Sequence, residues 1–111
     1  MMRPADYAQA QLDCYNQLDL EGFLALYADD VVVHEFPATP VLEGKAALRE
    51  RYGRILFPGS TVHAVVTQRM VVGNRVIDHE QITGHPIMGE AALVVIYQVG
   101  AQGIERVWFM R

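Results

Sequence analysis

The residues best suited to chemistry in this sequence are carboxylates set among apolar and β-branched neighbours. The stretch VIDHEQI, Val76 to Ile82, places an acid, an imidazole and a second acid in a row. On a strand, Asp78 and Glu80 share one face with Val76 and Ile82, while His79 turns the other way with Ile77, Gln81 and Thr83. Two carboxylates so placed lie about 7 Å apart. In apolar surroundings each is desolvated and each raises the pKa of the other, so one is expected to keep its proton near neutrality. The pair then offers an acid and a base. A third carboxylate, Glu35, closes the run VVVHE before Phe36 and Pro37. If Val31 and Val33 face a core, Glu35 faces it too, nearer the strand end, and a carboxylate there suits proton transfer near neutral pH. The plain alternative for all three acids is a solvent contact or an ion pair with Arg or Lys across the sheet or a dimer contact.

Other residue types carry weaker signals. His79 and His34 fall on the opposite parity from the acids, toward an outer sheet face, and are secondary candidates. Tyr15, Tyr52, Tyr97, Trp108 and Met110 are candidate pocket walls, because aromatic rings give apolar area with a polar tip and methionine adapts to irregular shapes. Trp108 and Met110 alternate with Arg106 at the end of the last strand, near the expected mouth of a pocket. Core packing explains each of these residues singly as well. No His-x-His or Glu-x-x-His spacing occurs, so no metal site is expected. Cys14 sits on an apolar helix face without a basic neighbour at helical spacing and reads as inert.

The elements that must position these groups follow from periodicity. Tyr7, Gln11, Cys14, Tyr15 and Leu18 share a helical face, predicting a helix over 4–18. Asp19 is a natural N-cap for a second short helix bearing Leu20, Phe23, Leu24 and Tyr27, ended by Asp29 and Asp30. VVVHEFP (31–37) reads as a strand, ATPVLEG (38–44) as a loop, and KAALRERYGRILF (45–57) as a third helix weakened at Gly53. Then come four strands: 61–73, 75–84, 90–99 and 104–110. They are joined by a tight turn at Gly73-Asn74, a loop HPIMG (85–89) and the turn GAQG (100–103). Helices first and an antiparallel meander afterwards is an α+β pattern. A strongly curved, mainly antiparallel sheet packed by three helices forms a cone with a mouth.

Composition narrows the function classes. The 111 residues are 51% hydrophobic and 20% charged, with a net charge of −4 and one cysteine. This is the profile of one globular domain, with no basic face for nucleic acid, no apolar run long enough to cross a membrane and no internal disulfide. A reduced, cytoplasmic setting without a signal peptide is the expectation.

The stretches D-L-x-x-F-x-x-L-Y-A-D-D-V (19–31) and E-G-x-x-A-L-R-E-x-Y (43–52), followed by the strand meander, resemble the nuclear-transport-factor-2-like superfamily, in its SnoaL-like and ketosteroid-isomerase-like branch. The resemblance spans nearly the whole chain. It implies a single domain over 1–111, a cone fold and a homodimer formed through the outer sheet face. It also implies a pocket for a small hydrophobic, oxygenated molecule, and an isomerase or cyclase chemistry without cofactor. The position of the isomerase base falls on Glu35. The isomerase's oxyanion-hole positions fall on Gln11 and near Val95, which are not the tyrosine and aspartic acid of that mechanism. A cyclase requires only a pocket acid or base, which Asp78 or Glu80 meets. An epoxide-hydrolase arrangement would add an arginine, for which Arg51 and Arg75 are candidates. A non-catalytic ligand-binding or dimerisation module of the same fold is the alternative.

Overall fold

A computed structural model describes residues 2–111. The elements run α1 (Pro4–Asn16), α2 (Leu20–Leu24), β1 (Tyr27–Glu35), β2 (Thr39–Glu43), α3 (Lys45–Gly53), β3 (His63–Val72), β4 (Arg75–His85), β5 (Gly89–Gly100) and β6 (Gly103–Met110). The strands form one six-stranded sheet in the order β2-β1-β6-β5-β4-β3. The β1–β6 pair is parallel and the other four pairs are antiparallel. Helix α1 packs on β3, β4 and β5, whereas α3 packs on β1 and β2. The sheet is curved and open, and the helices cover its inner face, as an α+β cone requires.

Local chemistry explains most of the boundaries. Asp19 caps α2, its carboxylate accepting from the Gly22 N–H at 2.9 Å. Pro4 occupies the first turn of α1, where its missing N–H costs nothing. Gly73 turns the β3–β4 hairpin at φ +58°.

Three expectations need correction. Helix α2 stops at Leu24, and Tyr27–Asp30 already belong to β1, because Tyr27 and Ala28 are buried in the core. The loop expected at 38–44 holds the edge strand β2, whose proline at position 40 is tolerated because only one side of it is paired. Helix α3 ends at Gly53 rather than running to 57.

The core runs from Ala8, Leu12 and Tyr15 of α1 through Phe23 and Leu24 to Val76, Val95 and Ile104, the last three at most 1% exposed. Register shifts interrupt the sheet; between β1 and β6, β1 advances five residues while β6 advances two, and four others are a single extra residue on one strand: Val41 on β2, Thr67 on β3, one within 83–84 on β4, and Glu105 on β6. Each shift reverses the inside–outside alternation of the residues beyond it.

Candidate active site

Register partners share a sheet face, so the ladder itself places the candidate residues. One row crosses the sheet as Arg69, Asp78, Val95, Phe109 and Glu35; a second joins Val76, Tyr97, Val107 and Val33. These rows face the helices. The opposite face carries His34, Trp108, Ile96, Ile77 and Met70, with His79, Val94 and Met110 in the neighbouring row. Asp78 and Glu80 therefore turn inward and His79 outward.

The inner face and helices enclose a cavity of about 410 Å³, within the range of small-molecule pockets. Its walls include Gln11, Tyr15, Tyr27, Tyr52, Glu80 and Tyr97. Glu35, Arg51 and Arg111 also line it and are far more exposed, which marks the mouth.

Glu80 is 6% exposed, and its carboxylate accepts from the Tyr97 hydroxyl at 3.2 Å. The Tyr97 oxygen accepts in turn from Gln11 Nε2 at 2.9 Å. Gln11 is fixed by donating to the Ala8 carbonyl at 3.0 Å and accepting from Tyr27 at 3.4 Å. Burial pushes the Glu80 pKa up to about 7; the Tyr97 hydrogen bond opposes this, and nearby Asp78 adds to it. Burial also holds the phenols of Tyr15, Tyr27, Tyr52 and Tyr97 above their ordinary range, so they keep their protons, and Tyr27 and Tyr97 donate theirs to Gln11 and Glu80.

The three acids thus have three different environments. Asp78 is fully buried and does not line the cavity: Arg69 clamps it with two bonds, Nε–Oδ1 at 2.7 Å and Nη2–Oδ2 at 3.0 Å. The extra residue on β3 brings Arg69 opposite Asp78, a pairing that plain alternation conceals. Glu35 stands at the mouth, its side chain 44% exposed and 3.3 Å from Arg111, rather than deep in an apolar cavity. Only Glu80 is both buried and open to the cavity.

Tyr15, Tyr52 and Tyr97 line the cavity, whereas Trp108 and Met110, expected as pocket walls, do not. Both lie on the outer face, because the inward residues at the end of β6 are Val107 and Phe109. Trp108 stacks on His34 instead, with ring centroids 5.2 Å apart and planes inclined by 13°. The His34 ring nitrogen Nδ1 lies 3.2 Å from the Val107 carbonyl oxygen, and His79 meets the Thr67 hydroxyl at 2.7 Å. Arg75 bonds Gln98 at 3.2 Å and stays away from the cavity, whereas Arg51 lines it. Among the described residues, no three His, Cys, Asp or Glu side chains cluster as metal ligands do. No helix is long and apolar enough to cross a membrane.

Among the cavity residues that periodicity does not single out, His85 is the titratable one with both a buried ring and a fixed orientation. His85, placed in a loop by the sequence HPIMG, ends β4, lines the cavity and is 8% exposed. The available signal was Gly84 interrupting the alternation just before it.

A profile of the SnoaL-like domain matches residues 8–108. The chain belongs to the SnoaL-like family. Solved structures agree on the fold. A cystatin-fold protein from Novosphingobium aromaticivorans is similar with a TM-score of 0.88 and 24% identity, over 100% of both chains. A Δ5-3-ketosteroid isomerase from Mycobacterium sp. gives a TM-score of 0.82 and 22% identity over 99% of this chain and 94% of that one. The RV0760c protein of Mycobacterium tuberculosis, in complex with estradiol-17β-hemisuccinate, gives 0.79 and 20% over 97% and 93%. A search of curated protein sequences returns no match. At these identities the likeness establishes the fold alone and leaves the chemistry to the residues above.

The buried acid of this SnoaL-like domain has a thermodynamic signature. Because Glu80 holds its proton more tightly in the folded chain, the domain loses stability as pH rises above about 4.5, and the loss is complete above about 7. Glu80→Gln keeps an acceptor for Tyr97 without the charge. It is expected to raise unfolding free energy at pH 8 by up to about 3 kcal/mol and to change little at pH 4. Denaturant titrations at the two pH values check this; an equal effect at both would contradict it.

Proposed function

We propose that this protein is an acid–base enzyme of isomerase or cyclase type acting on a small, hydrophobic, oxygenated molecule. The observation that carries the reading is Glu80: a carboxyl group buried at the cavity wall, held by one phenol, with its pKa brought to about 7. Such a group is poised to take a proton from carbon and return it at physiological pH. In the proposed reaction the Glu80 carboxylate removes a proton from carbon next to a carbonyl. Where that carbon also neighbours a C=C bond, the C–H electron pair becomes a new C=C bond, the carbonyl π pair moves to oxygen to give a dienolate, and the protonated Glu80 then delivers the same proton to the far carbon of the old double bond as the carbonyl re-forms. No cofactor is required for such a step. Gln11 and Tyr97 position Glu80, and the aromatic walls Tyr15 and Tyr52 hold the apolar body of the ligand. Glu35, matching the isomerase base in sequence, serves at the mouth, where its pairing with Arg111 suits ligand entry and orientation. The ligand in the estradiol-17β-hemisuccinate complex is likewise an oxygenated hydrophobe.

A binding module without chemistry is the second reading. It is favoured by Gln11 and the buried Val95 at the positions where the isomerase mechanism requires a tyrosine and an acid. We further propose that a second copy covers the outer face, as the resemblance implies. The row His34, Trp108, Ile96, Ile77 and Met70 presents apolar and aromatic groups across five strands, and Met70 is 59% exposed. A self-complementary patch of this kind fits a two-fold contact.

Hydrogen–deuterium exchange at the activated CH₂ of 2-tetralone, followed by proton NMR in D₂O, separates the two functional readings. The enzyme reading expects exchange above the buffer rate, rising with pH through about 7 as Glu80 ionises and falling by a factor of about 10² or more in Glu80→Gln. Binding of tetralone without accelerated exchange would support the binding module. For the dimer, sedimentation equilibrium should give twice the chain mass for the native protein and a monomer for Ile96→Glu; a monomeric native protein would refute it.

A further inference from the structure

Strand alternation continued from Asp78, Glu80 and Ile82 would turn position 84 inward and His85 outward. The structure does the opposite. Ile82 pairs with Ala91 but His85 pairs with Gly89, so β4 advances three residues while β5 advances two. The extra residue returns His85 to the inner face, where it lines the cavity. This bulge is held firmly. Gly84 has φ +63°, and a Cβ there would come within 2.1 Å of the Thr61 carbonyl oxygen. The Thr61 hydroxyl donates to the Gly84 carbonyl at 3.0 Å. Position 84 is therefore restricted to glycine, and the direction of the next side chain is fixed.

The imidazole is fixed as well. Its Nδ1 accepts from the backbone N–H groups of Ile87 at 3.1 Å and Met88 at 3.0 Å. A ring nitrogen accepting two N–H groups carries no proton, so in the neutral ring the proton sits on Nε2. Burial, with a smaller effect from Arg111, lowers the His85 pKa and favours that neutral form. Nε2 makes no hydrogen bond to the described residues, and it is not sealed within the protein. A residue of the cavity wall thus carries an N–H donor with no partner among the described residues.

Its place along β4 limits what it can recognise. His85 and Glu80 are five residues apart, but the extra residue leaves their β5 partners, Gly89 and Leu93, four apart, about 13 Å along an ideal strand, and a hydrogen bond needs heavy atoms within about 3 Å. The two side chains therefore hold different ends of a ligand. Arg111, close enough to influence the His85 ring, places the His85 end toward the mouth.

We propose that His85 is a specificity-determining residue whose Nε2–H binds an acceptor oxygen at the mouth-side end of the ligand. The ligand class is then an elongated hydrophobe oxygenated at both ends, with one oxygen function near Glu80 and a ketone, ester or carboxylate oxygen near His85. This rests on the cavity being the ligand site, as proposed above, and sharpens it from any oxygenated hydrophobe to a two-ended one.

Two probes that differ only in the outer oxygen test this: 6-acetyl-2-naphthol and 6-ethyl-2-naphthol, titrated by fluorescence. The native protein is expected to bind the ketone at least about fivefold more tightly. His85→Phe should bring the ratio near one. A preference that survives the substitution, or equal binding of both probes to the native protein, would overturn the role of His85 and leave the cavity reading intact. Binding of neither probe would overturn both. Because His85 also caps the 87–88 turn, a second measurement needs no variant: ¹⁵N-imidazole NMR of the native protein. It should show protonated Nε2 and bare Nδ1 for His85, with the Nε2–H resonance displaced by the ketone and not by the ethyl compound. A proton on Nδ1, or an unmoved Nε2–H, would refute the proposal.

Discussion

The pairing of Arg69 with Asp78 is the constraint on which the site depends. A fully buried carboxylate is costly unless it is paired and its oxygens satisfied. Arg69 meets both conditions through two short bonds, and Gln9 on α1 accepts from its remaining arm at 2.9 Å. This one arginine therefore ties β3 to β4 and both to the first helix. It also separates the fates of two acids on one strand face. Asp78 is spent on structure. Glu80, two residues on, meets a phenol and an amide-supported network instead of a guanidinium, and burial then dominates its proton affinity. The same sheet face thereby produces an ion pair at one position and a titrating acid at the next.

The register shifts are the second organising device. A regular cone would alternate strictly and would give each strand one inner set of residues. The extra residue on β3 brings Arg69 inward to meet Asp78, and the one on β4 brings His85 inward after Ile82. Polar groups thus enter the interior at chosen depths without disturbing the apolar rows on either side. The outer face retains its own aromatic and aliphatic row, so curvature, site and outer surface are set by the same few residues.

What was legible in the sequence follows the same division. Hydrophobic periodicity and capping revealed the three helices, the four-strand meander and the face shared by Asp78 and Glu80, because these depend on local alternation, whereas the inward direction of that face came from the family resemblance. The motif between Asp19 and Val31 and the one between Glu43 and Tyr52 carried the family. The environment of each acid was not legible. That Asp78 would be clamped, Glu35 paired with Arg111 and Glu80 left in the cavity depends on Arg69, Arg111 and Tyr97 arriving from elsewhere in the chain. Trp108 and Met110 were misplaced by parity at the end of β6, and His85 was hidden by a bulge whose only local sign is Gly84. Long-range pairing and single-residue slips are invisible to periodicity, and they decide this site.

The central claim is that Glu80 titrates near neutrality because it is buried beside one phenol. Carbon-13 NMR of the glutamate side-chain carboxyl groups, assigned with Glu80→Gln and followed from pH 3 to 9, measures this directly. The account predicts for Glu80 a resonance with a midpoint near 7 that disappears in the variant. A Glu80 midpoint in the ordinary carboxylate range would contradict it, because the cavity would then hold a permanently charged group with no capacity to carry a proton at physiological pH.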